Sequence, residues 1–171
     1  MIKKMMVDVL LKHNEKKSIK KSRLAQKSHI DNVEMIHHRI KEKVLKGNSL
    51  TVVFIVQFPE MWNSTKSIYD FMLEDPRFEP YIIAVPKRGK SNILHTQFLK
   101  DNEASDFFYK NGIDVLPINI KNCKVVLEDI SPDYIFLQRP YDSHMPKPYS
   151  QYILSEKSLL CYVPYGYEFV N

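Results

Sequence analysis

The stretch Ser131–Tyr167, SPDYIFLQRPYDSHMPKPYSQYILSEKSLLCYVPYGY, decides the reading of the fold. It holds two short apolar runs, Tyr134-Ile135-Phe136-Leu137 and Leu159-Leu160-Cys161-Tyr162-Val163. Each is followed by a Pro-bearing polar turn, Gln138-Arg139-Pro140-Tyr141-Asp142 and Pro164-Tyr165-Gly166-Tyr167. Four or five apolar residues without polar alternation suit a strand buried on both faces, as in a parallel sheet. The segment between the runs has the length that a parallel crossover needs. In open α/β sheets, ligands bind in the crevice beyond the carboxyl ends of the strands, so both polar turns are expected to line it.

Upstream, Thr51-Val52-Val53-Phe54-Ile55-Val56 reads as the first strand and Tyr81–Val85 as the second. Ile113–Leu116 reads as a short third, so the two runs above become the fourth and fifth. Helices are expected over Lys66–Glu74, with Ser64 as N-cap and Ile68, Phe71 and Met72 inward. Further helices are expected over 96–111, with Phe98, Leu99, Phe107 and Phe108 inward and Gly112 as the C-terminal cap, and over Val125–Ile130; Tyr149–Leu154 forms part of the last connection. Asp75-Pro76-Arg77 stops the first of these. This alternation predicts an α/β, Rossmann-like domain over 49–171, with a mostly parallel sheet of about five strands.

Residues 1–48 are different. They have no Pro and no Gly before Gly47, and Lys, Glu, Leu and Met abound, so they read as a helical extension. Two helices are expected, loosened around Lys16–Ser22, with Val33, Ile36, Ile40 and Val44 as one apolar stripe and Gly47-Asn48 closing the second. Residues 1–50 carry 13 Lys/Arg against 5 Asp/Glu, a net of +8, and residues 51–171 carry 12 against 15, a net of −3. The basic character therefore belongs to the extension. Its cluster Lys16, Lys17, Lys20, Lys21 and Arg23 reads either as a solvated joint or as a contact for an anionic surface, where each cation adds on the order of 1 kcal/mol. A membrane ranks above nucleic acid as the acidic partner, because no aromatic residues interleave with the lysines as stacking platforms.

Several classes are excluded by what the sequence lacks. There is no signal peptide and no run approaching ~20 apolar residues. Neither GxGxxG nor GxxxxGK[ST] occurs, so no cofactor is expected, and no Cys/His spacing points to a metal. His37 and His38 are adjacent on a helix and diverge. Two distant cysteines, Cys123 and Cys161, fit a reduced, cytoplasmic protein.

Candidate site residues follow from the strand ends. Glu60 and Trp62 come after the first strand, Glu60 as an acid/base carboxylate and Trp62 as a binding residue. Gln138, Arg139, Tyr141 and Asp142 follow the fourth, with Arg139 able to hold a phosphate bidentately. Asp142 reads equally as a cap for the next segment. Gly166 permits close backbone approach to a ligand. The loop Lys87-Arg88-Gly89-Lys90 and His144 read as solvated surface.

The strings VVFIVQFPEMWNSTKSIYDFMLEDPRFEPYIIAVP, PDYIFLQRPYDSHMPKPYS and LLCYVPYGY together resemble the N-terminal half of CDP-glycerol glycerophosphotransferase-like proteins. These build teichoic acids and capsules and have the GT-B architecture. The resemblance covers residues 51–171 and implies an acceptor-side domain facing a donor-binding domain that this chain does not include, in a longer protein or a separate chain. It also implies a lipid-linked or polymer acceptor at the inner face of the cell membrane. The family's His-Gly-Thr motif, whose His is the general base, has Tyr165-Gly166-Tyr167 as its nearest counterpart. Tyr165 thus takes the base position, and with an ordinary pKa near ~10 it is a poor base at neutral pH. The chain alone is expected to be inactive. A non-catalytic, membrane-associated scaffold is the competing expectation, and an unrelated flavodoxin-like module a third.

Overall fold

A computed structural model describes residues 2–86, 102–116, 118, 125–142 and 145–164; the side chains of residues 2–16, 19, 21, 23, 24, 125, 126 and 128 are not described. Four strands, β1 (Leu50–Val56), β2 (Phe78–Ala84), β3 (Tyr134–Leu137) and β4 (Leu159–Tyr162), form one sheet in the order β2-β1-β3-β4. All three pairings are parallel, with Phe54 opposite both Ile82 and Phe136, and Phe136 opposite Cys161. This is an α/β fold of the Rossmann-like kind.

The strand count is four among the described residues, not five. Of the expected third strand only Leu116 joins the sheet, as a single bridge to Ile83 in which its N–H donates to Ile82 O at 2.8 Å. The next acceptor on that edge of β2, Ala84 O, is taken by Asn102 Nδ2 at 2.9 Å. Conversely, β2 starts three residues before the expected Tyr81 and takes in Pro80. Ile82 O points away from β1, toward Leu116, and Pro80, two residues earlier, shares that side, so its missing N–H costs no ladder bond with β1.

The helices are α1 (Ile2–Leu45), α2 (Asn63–Glu74), α3 (Glu103–Lys110), α4 (Val125–Ile130) and α5 (Gln151–Ser155), with 3₁₀ turns at Pro59–Met61 and Lys147–Tyr149. The extension is one 44-residue helix, about 66 Å long, with no break at Lys16–Ser22. Lys, Ser and Ile lower helix propensity by only a few tenths of a kcal/mol each, too little to interrupt a run free of Pro and Gly. Gly47 (φ +70°) ends it: Gly47 N–H donates to Val44 O and Asn48 N–H to Lys43 O, the paired bonds of a left-handed C-terminal cap. Gly112 (φ +66°) closes α3 with the same pair of bonds.

Strand β1 is buried on both sides. Val53 and Ile55 face one core with Ile83, Ile135, Leu137, Leu127, Tyr149 and Leu154. Val52, Phe54 and Val56 face the other, where Trp62 and Tyr69 pack edge-to-face on the Phe54 ring and on each other, and Phe108 packs edge-to-face on Trp62. Two helical expectations change. Helix α2 begins at Asn63, running straight on from the 3₁₀ turn, so Ser64 is inside it and its hydroxyl donates back to Met61 O instead of capping. Phe71 is exposed, and Thr65 and Tyr69 take the inward positions. Residues Phe98, Leu99, Lys87, Arg88, Lys90, Cys123 and His144 lie outside the described residues.

The last third of α1 is fastened to the amino ends of the strands. Ile36 and Ile40 are buried, Val33 is half-buried and Val44 is exposed. Fully buried Asp133 receives Lys43 Nζ at 2.7 Å and the N–H of Thr51 at 2.9 Å, and Arg39 Nε lies 3.3 Å from its other oxygen. Arg39 also donates to the carbonyls of Pro132 and Lys157, at 2.9 and 3.1 Å. One buried carboxylate therefore joins helix, β1 and the entry to β3. Among the side chains described from Lys17 to Asp31, all are exposed.

Candidate functional site

The chain leaves β1 for β2 on one side and returns to β3 on the other, so the sheet reverses its winding between β1 and β3. At such a switch point the loops after the two strands part and leave a crevice. A cleft of about 350 Å³, including its open mouth, lies there. Gln57 and Phe58 line it from the end of β1, and Gln138, Arg139, Tyr141 and Asp142 from the end of β3. Four of the residues read from the sequence are thus brought together where they were expected.

Their roles differ from one another. Gln138 is buried, and its side-chain oxygen accepts the N–H groups of Gln57 (2.8 Å) and Phe58 (2.9 Å) while its Nε2 donates to Phe58 O (2.8 Å). Three hydrogen bonds stitch the two turns, so Gln138 shapes the cleft and has little capacity left for a ligand. Gln57 donates in turn to Pro86 O at 3.1 Å, tying in the end of β2. Asp142 accepts the N–H of Gln151 at 2.9 Å and so caps the first turn of α5, the other of its two expected roles. Arg139 lies over the Phe58 ring, its guanidinium carbon 3.8 Å from the ring centroid and 5.8 Å from that of half-exposed Tyr141. Arg139 Nε is buried without a hydrogen-bond partner among the described residues.

The other candidates are elsewhere. Glu60 is exposed on the 3₁₀ turn and is not among the cleft's lining residues. Trp62 is 1% exposed within the aromatic core, so it packs instead of binding. Tyr165 and Gly166 lie outside the described residues. Of the basic cluster, Lys17 and Lys20 are exposed on α1, and the side chains of Lys16, Lys21 and Arg23 are not described. Sequence reasoning missed Phe58, Met145 and Tyr149, which supply much of the apolar wall. The available signal was that Phe58 follows the end of β1 by two residues.

Burial pushes the Cys161 thiol up, and raises the Tyr134 phenol, with smaller contributions from Cys161 and Asp133. Both features suit a strand against a core, not a nucleophile. Among the described residues, no group of three or more His, Cys, Asp or Glu is placed to hold a metal, and no helix is long and apolar enough to cross a membrane.

Parallel strands packed between two cores, with a cleft at the switch point, define a Rossmann-like α/β protein. Set against protein-family models, curated proteins and solved structures, the chain matches none.

Proposed function

We propose that this chain is the acceptor-side half of a GT-B-type transferase of cell-surface polymer synthesis, similar to CDP-glycerol glycerophosphotransferases. The observation that carries the reading is the cleft at the switch point, walled in part by Gln138, Arg139, Tyr141 and Asp142. In the complete enzyme an acceptor hydroxyl displaces the nucleotide at the activated phosphate, and the donor is held by a second domain in a longer protein or a separate chain. The exposed Lys17 and Lys20 of α1 support docking on the anionic inner face of a cytoplasmic membrane, where a lipid-linked acceptor would be reached.

A second reading, a non-catalytic binding domain at the membrane, has its own support. The carboxylate of Asp142 is engaged as a cap, and Glu60 does not line the cleft. Both readings predict salt-sensitive sedimentation of the full chain with anionic vesicles and not with neutral ones. Replacing Lys16, Lys17, Lys20, Lys21 and Arg23 by Ser should abolish it. Titration with glycerol-phosphate oligomers separates the two: the acceptor reading requires tighter binding of the oligomers than of inorganic phosphate, and equal affinities would sink it.

A further inference from the structure

We infer that Arg139 is a preformed receptor for a single oxyanion, the phosphate of a small phosphate ester, in the cleft between β1 and β3. The inference deepens the acceptor reading by naming what the cleft recognises. Its starting point is an unanswered charge. Among the described residues no carboxylate lies within ion-pair distance of Arg139, and its Nε is buried without a partner. A guanidinium cannot shed its proton to escape this situation, so in the half-buried side chain the buried Nε–H stays costly while it has no acceptor.

The fork is also held in one orientation. Stacking 3.8 Å over Phe58 restricts the plane of the guanidinium, and Phe58 is itself held by both ends of the Gln138 amide. Little side-chain freedom is then lost when a ligand binds. Gln138 is a positioning residue in this scheme. Ile55, Leu137 and Met145 line the same space, and apolar walls strengthen the attraction between the guanidinium and an anion.

The shape of the cleft narrows the ligand class. Inside, the cleft has room for about one water, so an anion would meet Arg139 at the entrance with the remainder of the molecule outside. A neutral polyol would leave the charge unanswered. A phosphate offers paired oxygens to the planar fork.

The test is titration of the full chain by calorimetry with inorganic phosphate, glycerol 3-phosphate, glycerol and acetate. Phosphate and glycerol 3-phosphate should bind, and glycerol should not. Arg139→Lys keeps the charge but loses the fork, and should weaken binding by roughly tenfold or more. Arg139→Gln should weaken it further, and both variants should keep the parent's melting curve within a few degrees. Vesicles of phosphatidylglycerol, offered to the chain lacking the five basic residues of α1, separate the sources. Arg139-dependent vesicle binding assigns the phosphate to a lipid head group, and Arg139-independent vesicle behaviour assigns it to a soluble ester; either supports the receptor. Equal phosphate affinity in parent and Arg139→Gln, no binding at millimolar phosphate, or acetate binding as tightly as phosphate overturns it. Oligomer binding that survives Arg139→Gln sinks the receptor and leaves the acceptor reading standing.

Discussion

Replacing Asp133 by Ala removes the acceptor for the buried Thr51 N–H and the counter-charge for Lys43 and Arg39. An unsatisfied buried amide costs about 1–3 kcal/mol. The two cations have side-chain exposures of 28% and 38%, so after the change both can turn to water, and each lost pairing is worth about 1 kcal/mol or less. The expected destabilisation is about 2–4 kcal/mol, below the figure for an ion pair broken in a dry core. At a few degrees per kcal/mol for a chain of this size, Tm should fall by about 5–15 °C. Asp133→Asn keeps an oxygen for Thr51 but loses the charge and turns an NH2 toward Arg39 Nε, so it should cost less than Ala, about 1–2 kcal/mol. Chemical denaturation measures both values, and hydrogen exchange should show amides of residues 36–45 losing protection first. If Asp133→Ala stays within ~0.5 kcal/mol of the parent, or Asp133→Asn costs as much as Ala, the carboxylate does not hold the helix as described.

The sole tryptophan, Trp62, should emit as a buried indole, resist iodide quenching, and cost about 3–5 kcal/mol on replacement by Ala, because it leaves a cavity among Phe54, Tyr69 and Phe108; ready quenching in the native state would contradict its place in the core. The Asp75 carboxylate accepts from the Arg77 side chain and backbone N–H, which hold its pKa at about 2, against an ordinary value of 3.8. Its contribution to stability is therefore present above pH ~4 and lost as pH falls toward 2. Carboxyl-carbon NMR should give that low value in the parent and a return toward 3.8 in Arg77→Ala, and an unchanged titration in the variant would refute the cause.

The sheet was legible because parallel strands announce themselves as unbroken apolar runs, and β1, β3 and β4 needed nothing else. The run Ile113–Leu116 is interrupted by Asp114, and only one bridge forms, since the next acceptor, Ala84 O, is taken by Asn102. Helix continuity through Lys16–Ser22 was misread because a cluster of like charges looks like a joint, while its propensity cost is small. In the cleft, the positions were legible and the roles were not. Gln138 resembles a ligand contact in sequence, but its amide is taken up by a turn 80 positions away. The link between Asp133 and Lys43 spans 90 positions and has no local signal at all.

The unbroken α1 also sets a distance. Lys20 precedes the buried Ile36 by sixteen helical residues, about 24 Å of rise. That is about three screening lengths at physiological ionic strength. A surface gripped by the basic cluster would therefore scarcely feel the net −3 of residues 51–171. If the proposed docking holds and the helix stands off the surface, it would act as a spacer between an acidic domain and a like-charged surface.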